Sequence, residues 1–103
     1  MYHHGWSDNA RGVAVKSLTP DGGDITVIYN GLLHKSGTQQ VYLHNGFGDP
    51  MNWHSVEENR MQKTTEGWKR TLNVDESLVT FCFRDAANNW DNNNGHNWTY
   101  KLT

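Results

Sequence analysis

Seven short segments with strand-like alternation, set between turn residues, constrain this chain more than any other feature. "GVAVKSL", "DITVIYNG", "QQVYLHNG", "RMQKTTEG", "WKRTLNV", "LVTFCFRD" and "NWTYKLT" follow one another at short, fairly even spacing. Several alternate apolar and polar positions with period two, the signature of half-buried strands. In such a strand Ile25, Val27 and Tyr29 share one face, and Val79, Phe81 and Phe83 share another, as two packed sheets require. The separators carry turn chemistry: "PDGGD", Asn30-Gly31, Asn45-Gly46, Glu66-Gly67 and "NNNG" ending at Gly95. No stretch repeats apolar residues at helical spacing over more than about two turns, and "MNWHSVEENR" is expected to form one turn at most. The pattern predicts an all-β chain, an immunoglobulin-like β-sandwich of about seven to nine short antiparallel strands.

At 103 residues the chain has material for one modest core, so residues 1–103 are expected to form a single module. The formal net charge is −2 and the nine Lys and Arg are scattered, which leaves no basic stripe for a nucleic acid. Cys82 is the single cysteine, and inside "VTFCFR" it reads as a small buried hydrophobe, not a nucleophile. No apolar run approaches the roughly 18 to 20 residues of a membrane span, and "MYHHGWSDNARG" has no signal-peptide pattern. The expectation is a soluble chain with neither a nucleic-acid nor a membrane partner.

One segment resists the core-forming pattern. "FRDAANNWDNNNGHNW", residues 83–98, surrounds Trp90 with six asparagines and two aspartates. Leaving an indole in a polar loop forgoes a few kcal/mol of burial. Either Trp90 folds back as a lid over the end of the sandwich, or its ring serves a ligand. The amides of Asn88, Asn89, Asn92, Asn93, Asn94 and Asn97 suit vicinal hydroxyls, with the flat indole stacked on a sugar. The same asparagines also suit left-handed turns that cap their own backbone.

A second cluster lies in "VYLHNGFGDPMNW". His44 alternates with Val41 and Leu43, so it is expected on the outer face of its strand with Tyr42, just before a glycine-rich connection that carries Trp53. A strand histidine of this kind is either a hydrogen-bonded structural residue or a ligand group. Trp68 and Trp98, at strand starts, read as core or edge residues.

"ITVIYN", "VYLHNGFGD" with a tryptophan close behind, "RMQKTTEGWKRTL" and "FCFRDAANNWDNNNGHNW" together resemble the successive motifs of starch-binding carbohydrate-binding module family 25, and of the related family 53 modules of plant starch synthases. The resemblance runs from about Asp24 to Leu102 and leaves residues 1–23, with Trp6, outside. It implies an immunoglobulin-like β-sandwich that binds α-1,4-glucans such as starch, glycogen or maltooligosaccharides on two tryptophans with a histidine between them. Carried over by position, the histidine is His44, the tryptophans are Trp53 and Trp90, and Asn92, Asn93 and Asn94 are polar neighbours of the sugar. The expectation is a module without a cofactor, either free-standing, and then cytoplasmic, or appended to an amylase or glucan synthase, and then extracellular if the amylase is secreted.

Other functions find less support in the residues. A glycosidase needs two carboxylates across a cleft. Asp85 and Asp91 sit where aspartate caps turns, and no nucleophile, phosphate-loop or zinc-protease motif is present. The six histidines lack zinc-ligand spacing, so no metal site is expected. The alternative is a protein-interaction sandwich with exposed tryptophans as anchors. An anchor patch carries apolar neighbours, whereas this loop carries amides.

Overall fold

The computed structural model describes residues 5–18, 23–49, 51–74 and 76–101. Among the described residues, ten strands and one helical turn follow in chain order: β1 (Gly5–Asp8), β2 (Val13–Ser17), β3 (Asp24–Tyr29), α1 (Leu32–Lys35), β4 (Val41–Phe47), β5 (His54–Arg60), β6 (Gln62–Thr64), β7 (Gly67–Asn73), β8 (Leu78–Asp85), β9 (Trp90–Asp91) and β10 (Trp98–Lys101). One sheet runs β1-β2-β3-β7-β6 and the other β10-β8-β4-β5, with β9 added against β8. All pairings are antiparallel. The two layers form the expected immunoglobulin-like β-sandwich.

The inward faces are those the alternation specified. Ile25, Val27 and Tyr29 from the first sheet meet Val41, Leu43, Val79, Phe81 and Phe83 from the second in one apolar cluster. Aromatic packing fills its centre: Tyr29 stacks on Phe83 at 4.0 Å, and Trp98 packs against Phe83 at 5.4 Å. Cys82 is buried, which pushes its thiol up to about 12 and leaves it inert as a nucleophile at neutral pH.

Three departures from the sequence reading matter for the site. The segment expected to form a turn of helix is β5, a seven-residue strand at the sheet edge. It shows no apolar alternation because almost all of it is exposed, and its charged side chains are what an unpaired edge tolerates. Asn45-Gly46 is not a turn but lies within β4. Asn45 is buried there and accepts a hydrogen bond from the Asn59 amide, 2.9 Å away, which replaces the turn role its dipeptide suggested. Gly5–Asp8, outside the recognised motifs, pairs with β2 as an edge strand. Trp6 packs on the core, and the Trp98 indole N–H donates to Asp8 at 3.1 Å.

Glu66-Gly67 falls where it was expected, the Thr64↔Gly67 pair closing a two-residue hairpin. Gly67 has φ 113°, and a Cβ there would strike the Asn30 side chain at 2.1 Å. Most of the "PDGGD" signal, at residues 20–22, and the last two residues of "NWTYKLT" lie outside the described residues.

Trp68 and Trp90 are the sharpest contrast among the tryptophans, at 2% and 43% exposure. Trp68→Ala is expected to destabilise the fold by about 3–5 kcal/mol, the usual range for a buried aromatic. Trp90→Ala should leave the urea midpoint nearly unchanged. Equilibrium unfolding of the two variants side by side tests this.

Candidate functional site: an aromatic platform on one sheet face

On the outer face of the second sheet, side chains line up in cross-strand rows. Arg60, Tyr42, Arg84 and Trp90 form one row from β5 through β4 and β8 to β9. Glu58, His44 and Cys82 form the next. Gly46 and Thr80 continue the following row on β4 and β8.

His44 lies at the centre. The Trp53 ring stands edge-on to its imidazole with centroids 5.7 Å apart and planes at 83°, and the Trp90 ring does the same at 5.2 Å and 89°. Residues 44, 53 and 90, far apart in sequence, are thus one contiguous aromatic surface. Trp90 is exposed and Trp53 half-buried.

Trp53 reaches this position because of its neighbours. Between the Asn45↔Glu57 and Phe47↔His54 pairs the register shifts in a β-bulge, and Ser55 takes φ 52°, uncommon for a non-glycine residue. The bulge turns the start of β5 over Gly46. A Cβ on residue 46 would lie 3.1 Å from Trp53 Cε3 and 2.9 Å from both Val56 Cγ2 and the His54 carbonyl oxygen. Gly46 is therefore the seat of the Trp53 ring.

His44 is oriented by Glu58. Its Nδ1 stands 3.2 Å from Glu58 Oε2, and because a carboxylate only accepts, that nitrogen carries the proton and Nε2 is left as the second polar end of the ring. Glu58 is itself gripped by Arg84, whose Nε donates at 2.7 Å and whose Nη2 donates to the other oxygen, the two-pronged arrangement favoured by guanidinium and carboxylate. The Arg84 guanidinium also lies 4.4 Å from the Tyr42 ring centre. The hydrogen bonds from Arg84, and then from His44, hold the Glu58 carboxyl below its ordinary value against the opposing effect of burial.

Trp90 is held from below. In the two-residue strand β9 its neighbour Asp91 points inward and accepts a 2.5 Å hydrogen bond from the buried Tyr29 phenol, which in turn accepts the Leu33 N–H at 3.0 Å. Burial, then the bond to Asp91, raises the phenol further above its ordinary value. Across the loop, Asp85 accepts the Asn89 amide and the Ala87 and Asn89 backbone N–H groups. These contacts, the Asn89 side chain first, hold its carboxyl below the ordinary range.

The asparagines are mostly engaged in turns. Asn88, Asn93, Asn94 and Asn97 all have left-handed φ between 57° and 69°. The Asn92 Oδ1 accepts the Gly95 N–H, and the Asn93 amide donates to the Asn97 carbonyl. Of the three asparagines expected beside a ligand, only Asn94 keeps its whole amide free of hydrogen bonds to the described residues. Sequence reasoning missed Gly46, Glu58, Arg84, Tyr29 and Asp91. A strand assignment for β5 would have put Glu58 beside His44.

The family model described as "Starch/carbohydrate-binding module (family 53)" matches residues 25–83, more than half of the chain. The chain belongs to family 53 of the carbohydrate-binding modules. The matched segment of the family 53 module contains His44, Gly46, Trp53 and Glu58 and ends before the Trp90 loop. No curated protein and no solved structure gives a match.

Two outcomes follow from this geometry. Gly46→Ala is expected to push the Trp53 ring away from His44, removing the Trp53 contribution to the ring-current shift of the His44 carbon-bound protons while that of Trp90 stays, with an overpacking cost of about 1–3 kcal/mol. The depressed carboxyls of Glu58 and Asp85 contribute stability that is fully present above the ordinary carboxylate value of about 4 and is lost as pH falls through their lower folded values. As far as these groups decide it, stability should be flat from about pH 5 to 8 and fall on further acidification. Urea midpoints from about pH 8 down to about pH 3, for wild type and Glu58→Gln, measure it.

Proposed function

We propose that this module binds α-1,4-glucans without catalysing their cleavage, by stacking glucose units on Trp90 and Trp53 while His44 and Asn94 meet hydroxyl groups. The observation that carries this reading is the pair of indoles set nearly perpendicular to one imidazole on an open sheet face. The rows of the sheet put the two rings on a diagonal, one beside Tyr42 and Arg84 and the other over Gly46, with His44 between. A curved α-linked chain suits that offset. The ending "NNWDNNNGHNW" supports kinship with family 25 as well, and residues 1–103 are read as one module of this kind.

The carboxylates around the platform favour a binding role. Glu58 is committed to Arg84 and His44, Asp91 to Tyr29, and Asp85 to its own loop. An open platform that does not close over its ligand should bind in the micromolar to millimolar range, about −4 to −8 kcal/mol. Higher apparent affinity would come from repeated sites on a polymer.

Titration of tryptophan fluorescence with maltoheptaose, with cellohexaose at equal concentration as control, tests the reading. A saturating change is expected with maltoheptaose alone, and Trp90→Ala should weaken it by tenfold or more without unfolding the protein. No response to either sugar from folded protein would overturn the glucan assignment and favour a protein partner.

A further inference from the structure

At the edge where the two sheets meet, near the β5-to-β6 crossover, a groove of ≈ 490 Å³ is lined by Gln40, Arg60, Gln62, Lys63, Trp68 and Arg70, among others. A second hollow of ≈ 500 Å³ shares Arg60, Gln62 and Arg70 with it and continues over Thr26, Lys69 and Thr71. The chain is acidic overall at −2, yet this edge concentrates cations. Among the described residues, no carboxylate pairs with Arg60, Lys63 or Arg70.

The groove is organised as well as charged. The Gln40 amide donates to the Val41 and Met61 carbonyls, both at 2.9 Å, and its Oε1 accepts Arg60 Nε at 2.7 Å. Arg60 is thereby fixed through one nitrogen, and its two terminal nitrogens have no hydrogen-bond partner among the described residues. Arg70 leans on the Arg60 carbonyl through Nη1 at 3.4 Å. Lys63 stands 5.8 Å from the Trp68 ring centre. Trp68 is almost wholly buried, and its indole N–H has no acceptor among the described residues, a cost that native folds rarely leave unexplained.

We propose that this groove is a second binding site, which takes a phosphomonoester carried on a hexose. A phosphomonoester is close to a dianion at neutral pH and offers three acceptor oxygens. Two guanidinium groups and an ammonium match that charge and donor demand, with arginine supplying the forked geometry. Gln62, Thr26 and Thr71 provide hydroxyl-compatible groups beside the cations. The hexose half of the assignment rests on the glucan reading above. Arg60 opposes Tyr42 in the β4–β5 register, two residues along the strand from the Glu58↔His44 pair and so about 7 Å from it. A phosphate on a chain already seated on the platform, or a free sugar phosphate, would present the same chemistry.

The indole N–H signals of a ¹⁵N spectrum, assigned by single Trp→Phe variants, separate the two sites. Glucose 6-phosphate is expected to move the Trp68 signal in a saturable, salt-sensitive way. Arg60→Gln and Arg70→Gln should each weaken that response about fivefold or more, while Trp90→Ala leaves it intact. Glucose at the same concentration should leave the Trp68 signal in place. A 6-phosphorylated maltoheptaose that binds more tightly than maltoheptaose, by a margin lost in Arg60→Gln, identifies the chain-borne phosphate as the source. Equal affinity of the two chains, with glucose 6-phosphate still bound, identifies the free sugar phosphate. The proposal is overturned if glucose 6-phosphate leaves Trp68 unmoved, if the two arginine variants, shown to be folded, bind it as wild type does, or if inorganic phosphate binds as tightly. Loss of the maltoheptaose response alone would count against the platform and not against the groove.

Discussion

The hydroxyl of Tyr29 ties the core of this sandwich to the loop that carries its most exposed indole. The ring is wholly buried and stacks on Phe83, so it belongs to the packing between the sheets. Its oxygen nevertheless joins two otherwise separate segments, accepting from the backbone at Leu33 and donating to Asp91. A buried carboxylate without that donor would cost about 1–3 kcal/mol, more if charged, so β9 has a strong reason to sit where it does. Because side chains alternate along a strand, fixing Asp91 inward fixes Trp90 outward. A polar loop thus acquires the rigidity of the core without being buried in it.

The other half of the platform is fixed by different means. Trp53 depends on a bulge, a positive φ at Ser55 and a missing side chain at Gly46. His44 depends on Glu58, and Glu58 on Arg84, so three adjacent strands each contribute one member of a single hydrogen-bonded chain. The chain's own contacts thus pre-form the aromatic surface, which under the proposed function would lower the ordering cost of binding.

The sheets were legible because period-two alternation is written into β2, β3 and β4, whose inward faces are buried, and because β8 reads as a short, largely apolar run buried on both faces. β5 was not, since an exposed edge strand buries neither face and leaves no pattern to read. The same blindness hid Glu58, whose role exists only through its register with His44. Asn45-Gly46 misled because a dipeptide favoured in hairpins was here serving two tertiary demands, a buried amide and a seat for an indole. In the asparagine loop, sequence offered both a turn role and a ligand role. The turn role accounts for the backbone of Asn88, Asn93, Asn94 and Asn97, because left-handed φ is a local property of those residue types. The convergence of Trp53 and Trp90 on His44 was readable only through resemblance, since nothing local in the chain couples residues so far apart.

The open flank of β5 has a consequence for how copies of this module can be crowded. Bare strand flanks recruit one another, and a polysaccharide coated with modules would bring many such flanks close together. Here the flank carries Glu57, Glu58 and Arg60 and is kinked at Ser55, so a neighbouring copy meets fixed charge and a broken ladder. The strand that helps build the aromatic surface also discourages lateral sheet growth, so dense decoration of a polymer need not end in aggregation.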